Sequence, residues 1–254
     1  MNAAPTTTLF ERLKAAARTE WEGYTHHSFV EQLGEGTLPL AAFQDYLVQD
    51  YLFLIHFARA NALAAYKSRS LADVQASADA LGAILTETEL HVRITEEWGI
   101  DRPTLEAAPE KQATVAYTRY VLDAGLSGDL LDLNVALSPC TIGYAEIGAR
   151  LAPQLEGRAD HPYRDWIAEY AGEDFQLAAR RATERLDILG ARSLTEQRFE
   201  ELVTVFRTAS RLEEAFWQQA LDDLTPAPLP SSAKQPAPVS SSAKQPAPLP
   251  SSAK

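Results

Sequence analysis

Three residues of this sequence have side chains at odds with their surroundings. Cys140 is the only cysteine of the chain and lies in the stretch "SPCTIGY", Ser138 to Tyr144. Pro139 cannot donate to the carbonyl of Val135, so a helix here either kinks or restarts with Ser138 as its cap. A restart places Cys140 in a first helical turn, where the dipole lowers a thiol pKa. Tyr144, four residues on, shares its face. Lone cysteines are also ordinary small core hydrophobes, and position alone leaves both readings open. Glu213 is the second residue. Phe206, Ala209, Phe216, Trp217, Ala220 and Leu224 form one apolar stripe of helical period, with Glu213 in its middle and Glu214 turned about 100° away. Desolvation there raises a carboxyl pKa, which suits a proton donor near neutral pH; the alternative is a salt bridge to an inward arginine. The third, Asp50, is one helical step from Tyr46, Phe53, Leu54 and Phe57. A carboxylate on that face is costly unless paired. Either it bonds a tyrosine hydroxyl or an arginine such as Arg59, or it binds a ligand in an internal pocket.

Tyr117, Tyr144 and Tyr170 place hydroxyls inside helices otherwise lined by alanine and aliphatic residues. Each buried hydroxyl needs a partner. Together with Asp50 and Glu213 they suit a flat, hydrogen-bonding heterocycle. Metal chemistry has less support. Glu87 and His91 are spaced to share a metal, but the chain has no Glu-x-x-His pair, and the di-iron bundle pattern needs two. His26 and His27 stand near a helix end as candidate axial haem ligands, yet paired histidines in loops are commonly just solvated. No metal is expected.

The elements that position these residues read as helices. Most of the 12 glycines fall between periodic segments, and no alternating strand run competes. The pattern predicts helices at about 8–22, 38–68, 71–98, 110–124, 127–151, 162–190 and 194–223. Thr37 is the expected cap of the second, with Pro39 in its first turn, and Ser193 or Thr195 that of the last. "YLVQDYLFLIHFARANALAAY" is apolar on nearly every side and is expected as a central, buried helix. Seven helices around one core make an all-α, single-domain helical bundle.

That domain spans residues 1–225. The rest, 226–254, is a tail built from three near-copies of a ten-residue unit, "PAPLPSSAKQ", "PAPVSSSAKQ" and "PAPLPSSAK". It holds eight of the chain's 15 prolines and no aromatic residue, so it cannot bury enough apolar surface to order itself and is expected to be a disordered linker or tether. It also carries three lysines and no acid, which leaves the domain with 20 basic residues against 35 acidic, a net of −15. Such a surface repels phosphate backbones, so direct nucleic-acid binding is not expected. A single cysteine makes no internal disulfide, the N-terminus does not read as a secretory signal, and no stretch reaches the roughly 18 apolar residues of a membrane span. A soluble, cytoplasmic protein is expected.

Four blocks carry a family resemblance. "HHSFVEQLGEGTLPLAAFQDYLVQDYLFLIHFARANALA", "SPCTIGYAEIGARL", "HPYRDWIAEYAGEDF" and "RLEEAFWQQAL" stand in the order found in the TenA, or thiaminase II, family. The resemblance runs from about residue 7 to 223 and excludes only the tail. It implies a haem-oxygenase-like fold without haem, no cofactor, and a homotetramer. It implies hydrolysis of 4-amino-5-aminomethyl-2-methylpyrimidine to the hydroxymethylpyrimidine used in thiamin salvage, and in many members cleavage of thiamin itself. By resemblance Cys140 is the nucleophile and Glu213 the general acid, Asp50 contacts the aminopyrimidine, and Tyr117, Tyr144 and Tyr170 line the pocket. Phe53 stands where some members carry a pocket tyrosine; it can stack on a pyrimidine but not hydrogen-bond. Ile142 replaces an aromatic residue of many members, which bears on the leaving group. The rival readings are a haem- or iron-dependent oxygenase on the same fold and a regulatory or ligand-binding protein.

Overall fold

The computed structural model describes residues 7–222; the repeated tail lies outside them. Among the described residues there are twelve α-helices and no strand. In chain order they are α1 (Leu9–Ala16), α2 (Arg18–Thr25), α3 (Ser28–Glu35), α4 (Leu40–Lys67), α5 (Leu71–Glu96), α6 (Arg102–Ala107), α7 (Gln112–Ser127), α8 (Leu130–Ser138), α9 (Tyr144–Leu151), α10 (Arg164–Ala171), α11 (Glu173–Ser193) and α12 (Glu196–Asp222).

The long helix α4 is the axis, as its composition demands. Half of its 28 residues are buried, and it packs along α5 and against α7, α8 and α12. Such a helix has no face to give to water, so neighbours must cover it on several sides. On α12, Phe206, Ala209, Phe216, Trp217 and Ala220 are all buried, which is the expected stripe; Leu224 lies outside the described residues. The stripe meets the N-terminal helices through rings. Phe206 stacks on Trp21 (5.4 Å, 17°) and Trp217 on Phe29 (4.9 Å, 15°). Burying each large aromatic contributes about 2–3 kcal/mol.

The elements differ from the seven expected in specific ways. The first segment divides at Ala17 (φ −120°, ψ 34°), and the bend lets both Phe10 and Trp21 reach the core, edge to face at 5.3 Å. The short α3 was not expected; His27 Nδ1 accepts its Phe29 N–H and Gly36 ends it at φ 78°. Nor was α6, which Asp101 caps. Thr37 does not cap α4, which starts after Pro39; its hydroxyl instead donates to the Gln32 carbonyl and the Glu35 carboxylate, closing α3. The segment at 162–190 divides at Gly172, whose extended backbone lets α10 and α11 part. Of the two candidate caps of α12, Thr195 accepts the Arg198 N–H at 3.1 Å, while Ser193 belongs to α11.

Pro139 neither ends the helix nor restarts it. Residues Pro139–Gly143 form one π-helical turn that joins α8 to α9, with Ser138, Pro139 and Gly143 all in helical backbone conformation. Ser138 is therefore not a cap. Its hydroxyl donates at 2.8 Å to the Val135 carbonyl that the proline leaves without its usual donor.

Candidate active site

The π-turn places Cys140 half-buried on the inner side of the bundle, packed against the main core. Two glycines shape what surrounds it. At Gly143 a Cβ would sit 2.4 Å from the Tyr24 ring, so only glycine lets Tyr24 close in and donate to the Pro139 carbonyl at 3.2 Å. At Gly148 a Cβ would meet the Tyr170 backbone at 2.5 Å, so α10 can press onto α9 and bring Tyr170 to Tyr144, ring centroids 5.0 Å apart.

Cys140 is not at a helix N-terminus, so the dipole that a restart would have supplied is missing. Burial, then Glu213, Glu87 and Asp50, push its thiol well above the ordinary range. The resting side chain is a thiol, and activation has to come from proton transfer.

Glu213 comes from α12 and is 2% exposed. Its partner is not an inward arginine but the Tyr117 hydroxyl of α7, which donates to Oε1 at 2.8 Å. Burial raises its carboxyl to about 8, against the Tyr117 bond and helped by Asp50. The group is thus a carboxylic acid near neutral pH, as a proton donor must be.

Asp50 on α4 has two donors on Oδ2, the Tyr46 hydroxyl at 3.1 Å and His91 Nε2 at 2.7 Å. Tyr46 in turn accepts from Trp166 Nε1 at 3.2 Å. Arg59 takes no part; it lies on the surface beside His56. The other nitrogen of His91, Nδ1, faces the Glu87 carbonyl at 3.0 Å, an atom that can only accept. Both ring nitrogens thus donate, and His91 is an imidazolium. Burial opposes that charge, but the bond to Asp50 and the charges of Asp50 and Glu87 outweigh it and lift the group to about 9.

Glu87 faces the same space from α5. Tyr170 donates to its Oε1 at 2.6 Å, and burial, opposed by His91 and reinforced by Asp50, raises its carboxyl to about 7. The spacing of Glu87 and His91 suits a metal pair. They do share a face, but His91 spends its nitrogens on Asp50 and on a backbone carbonyl. Among the described residues no three His, Cys, Asp or Glu side chains converge as metal ligands. His26 and His27 stand apart, bonded to Thr25 and Gln218.

Aromatic rings close the remaining sides. Phe53 stacks on Tyr117 (5.0 Å, 28°), and Tyr144 touches Trp217 (5.3 Å) and Trp166 (6.0 Å). The seven residues read from the sequence as the site come together here: Cys140, Glu213, Asp50, Phe53, Tyr117, Tyr144 and Tyr170. Tyr24, Tyr46, Glu87, His91, Trp166 and Trp217 are further members; of these Tyr46 stands one helical step from Asp50 and Trp217 in the apolar stripe of Glu213, while the spacing of Glu87 and His91 pointed to another use. Two surface clefts, of about 290 and 230 Å³, contain none of these residues. The site offers a thiol, a buried acid, an ion-paired acceptor and flat apolar walls, which together suit addition to an electron-poor aromatic ring.

Known proteins share both chain and fold. An aminopyrimidine aminohydrolase of Halalkalibacterium halodurans is 38% identical over 82% of this chain and 92% of its own. A solved structure from Silicibacter sp., described as a TenA family transcription regulator, is 44% identical and superposes with a TM-score of 0.80 over 87% of this chain and 99% of that one. A Shewanella denitrificans domain with a heme oxygenase-like fold has a TM-score of 0.66 over 84% of this chain and 92% of its own at 13% identity, which speaks to the fold alone. Residues 14–223, nearly everything the structure describes, match the TENA/THI-4/PQQC family, and the chain belongs to it.

Proposed function

We propose that the protein hydrolyses 4-amino-5-aminomethyl-2-methylpyrimidine to the 5-hydroxymethyl compound and ammonia, in thiamin salvage, and cleaves thiamin at the corresponding bond. One observation carries this reading. Cys140, Glu213 and Asp50, drawn from three distant parts of the sequence, meet in one aromatic-walled site, and they do so in a chain 38% identical to an aminopyrimidine aminohydrolase.

The chemistry is addition and elimination. The pyrimidine lies between the rings with its 4-amino edge at Asp50 and the nitrogen next to C6 at Glu213. As Cys140 Sγ bonds to C6, Glu213 gives its proton to that nitrogen and takes up the thiol proton, so no free thiolate is needed in the resting site. The 4-amino group then pushes its electron pair into the ring, and the bond from the C5 methylene to the amine breaks with its pair on nitrogen. Water adds to the exocyclic methylene. Sγ leaves C6, the ring nitrogen returns its proton, and aromaticity is restored. Water has entered and ammonia has left, and no metal or organic cofactor takes part. With thiamin the thiazole nitrogen is the leaving atom.

The pH dependence follows from Glu213. The donor must be protonated, so kcat falls as pH rises through about 8. The enzyme is read as a homotetramer of the cytoplasm. Among the described residues no helix is long and apolar enough to cross a membrane.

The Silicibacter relative's description favours a second reading, a regulator. The acidic charge of this chain opposes contact with nucleic acid, and a ligand-binding regulator has no need of Cys140. Ammonia release from the aminomethylpyrimidine separates the two. Wild type is expected to release it and Cys140→Ser to bind the pyrimidine without turnover. A serine variant keeping more than about 5% of the wild-type rate would sink the nucleophile assignment.

A further inference from the structure

Three carboxyl groups bear on Cys140, and the reaction above uses only two of them. The geometry points to Glu87 as the residue that binds the cationic amine of the substrate, the group that is expelled. This rests on the proposed function and names the part of the site that selects the leaving group.

With the nitrogen next to C6 at Glu213 and the 4-amino group at Asp50, C6 and then C5 lie between them. The aminomethyl arm on C5 therefore emerges between Cys140 and Asp50. Glu87 bears electrostatically on both of them. It stands one helical turn before His91, whose Nε2 is 2.7 Å from Asp50. On the other side its Oε1 takes the Tyr170 hydroxyl at 2.6 Å, and the Tyr170 ring lies 5.0 Å from Tyr144, the residue that follows the π-turn of Cys140.

The three carboxyl groups also differ in what satisfies them. Asp50 has the imidazolium of His91. Glu213 is the acid and is held by Tyr117. Among the described residues no lysine or arginine pairs with Glu87; Tyr170 supplies one neutral donor, and the only cation bearing on the carboxyl is His91, already bonded to Asp50. A primary ammonium with three N–H donors is the natural complement of such a carboxylate. Exposure agrees. Asp50 and Glu213 are 4% and 2% exposed, whereas Glu87 is only half-buried, so it is the least enclosed of the three carboxyl groups.

The role fits the elimination. The amine enters with its extra proton, so when the carbon–nitrogen bond breaks the pair stays on nitrogen and neutral ammonia departs. Paired with the ammonium, Glu87 is held as a carboxylate and keeps the amine in its protonated, expellable form until that point.

The test compares two ligands of nearly equal shape and different charge. In a Cys140→Ser background, which prevents turnover, calorimetry is run with the aminomethylpyrimidine and with the neutral hydroxymethylpyrimidine, with and without Glu87→Gln. Loss of a partly buried charge pair predicts binding of the cation weaker by about 30-fold or more, and of the neutral ligand by less than about 3-fold. Glu87→Asp, which keeps the charge, is expected to recover part of the loss. Equal weakening of both ligands, or none for the cation, overturns the assignment. Should Glu87→Gln fail to fold, the aspartate variant and the Cys140→Ser protein decide: equal affinity of the latter for the two ligands overturns it as well. Ammonia release by the wild type is scored separately, so failure of the proposed function is told apart from failure of this one.

Discussion

Asp73 and Glu213 are nearly equally shut off from solvent, at 3% and 2% exposure, yet their carboxyls are driven in opposite directions. Asp73 lies just beneath the surface near the start of α5. Arg192 and Arg185 of α11 clasp it, and their hydrogen bonds hold its carboxyl well below the usual carboxylate range. Glu213 lies in the middle of the bundle with one neutral donor, and burial carries it to about 8. Low exposure alone does not separate a structural carboxylate from a chemical one. Depth and partner do: arginines at the rim make Asp73 a clamp, and a tyrosine in the interior makes Glu213 an acid.

The two also leave opposite marks on stability. The folded pKa of Asp73 is depressed, so its contribution is present above the ordinary carboxylate range and lost as pH falls. That of Glu213 is raised, so its contribution is full below that range and lost as pH climbs through about 8.

Four substitutions test the contrast. Glu213→Gln is expected to lower kcat by roughly 100-fold or more and to remove the fall in rate near pH 8. The same variant is expected to resist urea better than wild type above pH 8, because it no longer carries a buried group that must ionise; an unchanged pH–rate profile contradicts the assignment. Asp73→Asn is expected to cost about 2 kcal/mol of stability, read from urea midpoints, while kcat stays within about 2-fold; a large kcat loss would mean that Asp73 serves the chemistry as well as the fold. Tyr117→Phe removes a bond that lowers the Glu213 pKa, so the descending limb of the profile is expected to move to higher pH. Arg59→Ala is expected to change neither activity nor stability by more than about 0.5 kcal/mol, since that arginine does not reach Asp50.

Local signals in the sequence carried the long helices and the inward acids. Glu213 stands out because it interrupts an apolar stripe, and Asp50 because α4 has no polar face to hold it. The tyrosine bonded to Asp50 is one helical turn away and within reach of the sequence, but the long-range partners were not legible. His91 is 41 residues from Asp50, and only packing of α5 along α4 joins them. The spacing of Glu87 and His91 correctly placed both on one face of α5 but could not tell which atoms would meet there. Tyr24 gave no signal, because its place at the site depends on the missing side chain of Gly143. The breaks at Ala17 and Gly172 escaped periodicity for a related reason: apolar spacing continues across both, and tertiary packing decides that the axis turns.

The π-turn at Pro139–Gly143 has a consequence for how this chain can vary. Such a turn holds one residue more than an α-helical path needs. Deleting a single residue there would yield a more regular helix and a wrong one, because everything after it would rotate by about 100° about the axis. Tyr144 and Ile147, now buried, would turn away from their places, and Gly148 would no longer lie under α10. Apart from Cys140 and Gly143, residue types in this stretch can change one at a time, but its length cannot, so insertions and deletions between Ser138 and Tyr144 are expected to be far more damaging than substitutions at Thr141 or Ile142.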